Sequence, residues 1–208
     1  MNILVIAATE LEIAPFINNK KTDVLITGVG AAPAIYYLTK HLLAAEYDLV
    51  VQAGIAGSFH HNQPMAEVVL IEQDTFADAG IMETENYQTL IEAGLAKDEF
   101  PYQNGWLHND HPLLAQSPLK KVRAITVNTV GVTTHHTNSY IDKFAPDIES
   151  MEGAALHYIC LLENVPFIQI RAISNHVGIR DKGLWKMKEA IDNLSEELTI
   201  LINQFNQQ

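Results

Sequence analysis

Six short runs rich in valine and isoleucine, Ile3–Ala8, Val24–Thr27, Leu49–Ala53, Val68–Ile71, Val122–Val127 and Phe167–Ile173, are each followed by a turn signal or a helical pattern. Continuous apolar runs of this length are how strands buried on both faces read. Helical patterns lie between them at Ala31–Glu46, Asn86–Ala93, Ser139–Phe144 and Met151–Leu162. Strands alternating with helices predict an α/β fold with a mostly parallel or mixed central sheet flanked by helices. The clearest helix is the last. Leu184, Met187, Ile191, Leu194, Leu198, Leu201 and Phe205 recur at three-four spacing and predict one apolar stripe laid against the sheet. The stretch from Gln73 to Pro118 has weak periodicity and is expected to hold long loops.

A chain of 208 residues fits one domain spanning 1–208, with enough length to bury a core. Asp and Glu outnumber Lys and Arg by 25 to 13, a formal charge of −12, and a field of that sign repels phosphate backbones and anionic lipid. Neither nucleic acid nor a membrane is expected as a partner. Cys160 is the single cysteine, so no internal disulfide and no thiolate metal cluster is available. The apolar start of the chain lacks a basic flank and meets Glu10 early, which fits a buried strand rather than a signal peptide and predicts a cytoplasmic protein.

Two glycine turns end predicted strands. Gly28-Val29-Gly30 opens a helix, the context in which backbone N–H groups face an anion, but Pro33 stands where a dinucleotide fingerprint needs its third glycine. Gly54-Ile55-Ala56-Gly57-Ser58 follows the third strand, and its small residues let a flat ligand approach the backbone at a carboxyl edge. The nine histidines, several of them adjacent, do not form a His-Glu-x-x-His helix, and the sequence asks for no metal and no cofactor. No Gly-x-Ser-x-Gly string announces a serine hydrolase.

The carboxylates carry more information. Thr9-Glu10-Leu11-Glu12 follows the first strand directly, which places Glu12 at that strand's carboxyl edge. Glu152, in Ser150-Met151-Glu152-Gly153-Ala154, opens a helix where the dipole favours negative charge. Arg171-Ala172-Ile173-Ser174-Asn175 ends the last strand in polar residues at the same edge. Two acids and an amide from three separate element ends are thus expected to face one crevice.

Together the segment Ile3–Ile13 with Glu12, Ala53-Gly54-Ile55-Ala56-Gly57, Ser150-Met151-Glu152-Gly153-Ala154 and Val165-Pro166-Phe167 through Asn175 resemble the purine nucleoside phosphorylase and nucleosidase superfamily. Within it, Phe76-Ala77-Asp78-Ala79-Gly80 and Ser174 to Asp181 with Trp185 are similar to the futalosine hydrolases, which split hypoxanthine from a nucleoside. The resemblance implies an enzyme acting on a small nucleoside without cofactor, and a homo-oligomer. It implies that Glu12 activates water, that Glu152 holds the ribose hydroxyls, that Met151 packs on the sugar, and that Ala56 and Gly57 line the substrate site. Asn175 falls where the adenine-specific nucleosidases carry Asp. An amide donates and accepts hydrogen bonds but supplies no proton, which suits a 6-oxopurine. Asn128-Thr129-Val130-Gly131 replaces the family's Gly-Asp-x-Phe stretch, leaving the stacking aromatic unidentified, and Phe76 and the loop around Asp78 are candidates for the 5′ side of the pocket or for a packed loop anchor. With three arginines, Arg123, Arg171 and Arg180, none in the loop after the first strand or beside Gly28-Val29-Gly30, water is expected as the nucleophile rather than phosphate.

Overall fold

The computed structural model describes residues 1–18, 22–83, 86–130, 134–179 and 181–206. Its strands are β1 (Ile3–Ala7), β2 (Asp23–Ile26), β3 (Leu49–Ser58), β4 (Val68–Asp74), β5 (Gly80–Glu83), β6 (Asn86–Thr89), β7 (Tyr102–Gln103), β8 (Trp106–His108), β9 (Lys120–Thr126), β10 (Ile148–Ser150) and β11 (Phe167–His176). The helices are α1 (Ala31–Leu42), α2 (Thr134–Phe144), α3 (Gly153–Leu162) and α4 (Met187–Phe205).

All six predicted strands form, inside one mixed sheet. β1 pairs in parallel with β2 and β3, and β3 in parallel with β11. β11 then runs antiparallel to β4, β4 parallel to β9, and β9 parallel to β10. β10 returns to the far end of β3, where Ile148 and Glu149 pair antiparallel with Ser58 and Gly57. The five strands β3, β11, β4, β9 and β10 therefore close into a ring. Closure removes exposed edges and brings Glu149, Gly57 and Asn175 to one rim.

That closure explains the largest departure in the central strands. The segment Gly54–Ser58, expected as a turn, continues β3 to ten residues because its backbone has β10 and β11 to pair with. The predicted helix Asn86–Ala93 is instead strand β6, hairpin-paired with β5, followed by a turn in which Thr89 and Glu92 cap each other. Two further short strands, β7 and β8, and a 3-10 turn at Pro112–Gln116 occupy the stretch expected as loops. α1 stops at Leu42, four residues short of the expected end; α2 begins five residues early and α3 two residues late.

α4 lies on one face of the sheet, where Ala190, Leu194, Leu198, Leu201, Ile202 and Phe205 join Ile3, Val5, Val51, Ile168 and Ile170 in one core. Leu184 is not in that stripe. It sits in a separate 3-10 turn and is 60% exposed, because the chain reaches helical pitch only from Met187. α1 and α3 cover the other face through Leu38, Leu156, Ile159 and Cys160. No described helix is long and apolar enough to cross a membrane. Leu198 is fully buried at the centre of the α4 face, so Leu198→Ala should lower unfolding free energy by about 2–5 kcal/mol in urea titration; a loss under about 1 kcal/mol would mean that α4 does not anchor the sheet.

Candidate active site

Glu12 is placed by the short turn that follows β1. Thr9 and Glu12 form a reciprocal capping box: the Thr9 hydroxyl accepts from the Glu12 N–H, and Glu12 Oε2 accepts from the Thr9 N–H at 3.0 Å. Oε2 also accepts from the Thr9 hydroxyl at 3.1 Å, and Oε1 accepts from the Ile55 N–H on β3 at 3.1 Å. The carboxylate is 7% exposed. Burial holds its pKa above the usual glutamate range; Arg171 and the Ile55 N–H oppose that rise, and the nearby Glu152 adds to it.

Glu152 arrives from the opposite side of the sheet. It occupies the N-cap position of α3, but its side chain makes no capping bond. Instead Oε1 accepts from the Gly30 N–H at 2.9 Å. Gly28 and Gly30 both have positive φ, 86° and 100°, which only glycine adopts without strain, and this geometry aims the Gly30 N–H inward. The anion met by the Gly28-Val29-Gly30 turn is thus a carboxylate of the same chain.

Between the two acids lies Arg171, 1% exposed. Its Nη1 stands 3.5 Å from Glu152 Oε2, and its Nη2 donates to Gln52 Oε1 at 3.1 Å. Gly54 makes room: a Cβ there would overlap Arg171 Nη1 and stand 2.9 Å from Glu12 Oε1. No arginine is expected in the loop after β1 or beside the Gly28-Val29-Gly30 turn, and the contacts of Arg171 are with Glu152, Gln52 and Ile55. Arg171 stays in its strand, yet its long side chain reaches the carboxylate that this turn holds. The visible signal was a cation inside Phe167-Ile168-Gln169-Ile170-Arg171-Ala172-Ile173, where a strand buried on both faces tolerates charge only with a partner.

Asn175 follows a break in register between Ile173 and Asn175 in the pairing with β3, which turns its side chain at the end of β11. Its Nδ2 donates to the His176 carbonyl at 3.1 Å, and its Oδ1 stands 2.8 Å from the Ser174 hydroxyl. Gly57 opposite leaves space, since a Cβ there would lie 3.2 Å from both Asn175 Nδ2 and Val177.

Glu12, Ala56, Gly57, Met151, Glu152 and Asn175, the six residues singled out in the sequence, all line one cavity of about 330 Å³. Glu149, on β10, was missed and also lines it, as do Leu11, Val29, Val130 and Ile179. Trp185 is the aromatic among the described lining residues. Phe76 lies elsewhere: it packs edge-on to Tyr158 and lines a separate cavity. Asp78 accepts from the Asn128 backbone and amide, which ties down a loop. Phe76 and Asp78 are therefore packing and loop anchors. Gly131 and Arg180 fall outside the described residues. Among the described residues, no group of three His, Cys, Asp or Glu side chains is placed to hold a metal ion.

The chain is 29% identical over 181 residues to the futalosine hydrolase of Thermus thermophilus, covering 86% of this chain and 80% of that protein. It is 28% identical over 190 residues to the futalosine hydrolase of Streptomyces coelicolor, covering 84% and 75%. The fold matches the crystal structure of a 5′-methylthioadenosine/S-adenosylhomocysteine nucleosidase from Colwellia psychrerythraea in complex with adenine, with a TM-score of 0.82 at 19% identity over 98% of this chain and 95% of that one. A model of the phosphorylase superfamily matches residues 12–205, and the chain belongs to that superfamily.

Proposed function

We propose that this protein hydrolyses the N-glycosidic bond of futalosine, releasing hypoxanthine and dehypoxanthine futalosine. The observation that carries the reading is the convergence of Glu12, Glu152 and Asn175 on one cavity, with Arg171 wedged between the two acids. The similarity to futalosine hydrolases supports the choice of substrate.

Breaking the bond from the purine nitrogen to C1′ sends the electron pair to the base and leaves an oxocarbenium-like sugar. In this reading Glu152 accepts from the 2′ and 3′ hydroxyls, and its negative charge supports the electron-poor ring. Met151 packs on the sugar, and Ala56 and Gly57 let the substrate approach the β3 backbone. Glu12 takes a proton from a water as that water's oxygen bonds to C1′. Its three hydrogen bonds fix the direction of the carboxylate, and Arg171 favours the ionised form that a base requires. Asn175 donates a hydrogen bond to the departing base at N7 or O6; the base takes its proton from solvent, because an amide has none to give.

Water is preferred to phosphate as the nucleophile on geometric grounds. The Gly30 N–H is taken by Glu152, and the Arg171 guanidinium is shared among Glu152, Gln52 and the field of Glu12. Arg171 is 1% exposed and is not among the residues that line the cavity. The same reading includes a cytoplasmic enzyme and a homo-oligomer; Leu11 and Val29, 63% and 54% exposed at the cavity rim, support burial of that rim by a second copy.

Chromatography of hypoxanthine released from futalosine, inosine and methylthioadenosine tests the assignment: release from futalosine at a rate unchanged by phosphate is expected, and phosphate dependence or preference for methylthioadenosine would overturn it. Glu12→Gln should lower kcat by about 10²–10⁴-fold if Glu12 is the base, whereas a fully active variant removes it from that role. Because the base must be ionised and burial raises its pKa, kcat/KM should fall on the acid side at a pH above the ordinary glutamate value of 4.5. A profile flat down to that pH contradicts the assignment. Asn175→Asp should reduce turnover of 6-oxopurine nucleosides relative to adenine nucleosides, and an unchanged ratio would refute its part in base recognition.

A further inference from the structure

Between α3 and the sheet, the core holds an acid and an imidazole that the reaction above does not use. Asp74, at the end of β4, is 0% exposed. Its Oδ1 accepts from the Thr75 N–H at 2.8 Å and from the Thr126 hydroxyl on β9 at 2.9 Å. Its Oδ2 accepts from Gln169 Nε2 on β11 at 3.3 Å. His157, on α3, is also 0% exposed, and its Nδ1 meets the Leu107 carbonyl on β8 at 3.0 Å. The Gln169 side chain interacts with His157 as well. Gly153 allows this crowding, since a Cβ there would overlap both Asp74 Oδ2 and Gln169 Nε2.

A carbonyl only accepts, so His157 carries its proton on Nδ1, and neutral His157 presents Nε2 as an acceptor. If Asp74 is ionised, Gln169 gives its N–H to the acid, and Gln169 Oε1 and His157 Nε2 remain buried acceptors with no hydrogen-bond partner. One added proton repairs both. With Asp74 protonated on Oδ2 and the Gln169 amide turned over, Asp74 donates to Gln169 Oε1, Gln169 donates to His157 Nε2, and His157 donates to Leu107. Oδ1 keeps its two donors. Placing the proton on His157 instead would bury a cation: burial above all, with Arg171 and His108, disfavours it and outweighs the Leu107 and Gln169 hydrogen bonds that favour it.

The cluster also reaches the functional site through Thr126. Thr126 Oγ1, which donates to Asp74, accepts from the Ala154 N–H in the first turn of α3 at 2.7 Å. Ala154 lies two residues after Glu152, so this bond helps set where α3 begins and where Glu152 starts its reach toward Gly30.

We propose that Asp74, Gln169 and His157 hold one buried proton that leaves only as the pH reaches neutrality, and that Asp74, acting through Thr126, is a positioning residue for Glu152. The groups facing Asp74 are Thr75, Thr126, Gln169, the α3 terminus at Gly153, and the Arg171 cation, whose field opposes protonation. Burial outweighs that field and pushes the Asp74 pKa up to about 7, while His157 falls to about 4. An acid whose pKa is raised on folding binds more protons folded than unfolded. Its stability contribution therefore falls as pH rises from the ordinary value of 3.8 to about 7, and is level above that.

The kinetic arm of the test rests on the hydrolase reading; the stability arm does not. Asp74→Asn keeps two acceptor contacts and the donor to Gln169, and should retain kcat/KM within about threefold. Asp74→Ala and Thr126→Val should lose on the order of 10²-fold in kcat/KM, chiefly through KM, while Thr126→Ser restores it. Melting temperatures of wild type and Asp74→Asn between pH 5 and 8 should show the wild type losing ground to the variant up to about pH 7. Should Asp74→Ala not fold, the Asn variant and the two Thr126 variants still decide the matter. An Asn variant as slow as Thr126→Val, or parallel melting profiles, overturns the buried proton; full activity in Thr126→Val overturns the positioning role. If the wild type releases no hypoxanthine at all, the hydrolase reading fails, and the melting profiles still decide whether the proton is there.

Discussion

One guanidinium organises the site. Arg171 stands between two buried carboxylates that reach it from different faces of the sheet, Glu12 from the turn after β1 and Glu152 from the start of α3. Without a cation, two acids that are 7% and 4% exposed would repel each other in a medium that solvates neither, and burial would protonate at least one of them. Gly54 is the steric counterpart of this charge arrangement, because any side chain there would occupy the space that Arg171 needs. A second glycine, Gly30, supplies through its left-handed turn the N–H that fixes the far acid.

The closed ring of β3, β11, β4, β9 and β10 makes this possible. An open sheet would bring the ends of β1, β3 and β11 to one edge, but would leave Glu149 and Ser150 remote from Gly57. Antiparallel return of β10 to β3 closes the rim, so the residues just before α3 meet the end of β11. Glu12, Glu152 and Asn175 therefore sit at strand and helix ends, and each is held in direction by a backbone partner.

Much of this was legible in the sequence, for specific reasons. Runs such as Ile3-Leu4-Val5-Ile6 and Phe167-Ile168 declare buried strands by composition alone, and the α4 stripe declares a helix by period. Glu12, Glu152 and Asn175 stood out because each sits directly after or before such a run. The ring closure was hidden, since pairing of Glu149 with Gly57 spans more than eighty residues and leaves no local pattern. The Asn86–Ala93 segment misled because Asn86–Thr89 becomes a strand only through its hairpin partner, and Leu184 carried the right spacing in a stretch that has not yet reached helical pitch. Arg171, Gln169 and Asp74 were written plainly inside or beside apolar strands; what they bond to depends on which strands are neighbours.

The central claim is geometric: a purine riboside sits with its sugar hydroxyls on Glu152, its base edge on Asn175, and its anomeric carbon facing Glu12. A crystal structure of the Glu12→Gln variant with intact futalosine tests this most directly. The account predicts the 2′ and 3′ oxygens within hydrogen-bond distance of the Glu152 carboxylate and hypoxanthine N7 or O6 within that distance of the Asn175 amide. A nucleoside bound in the reverse sense, or outside the cavity of about 330 Å³, would contradict it.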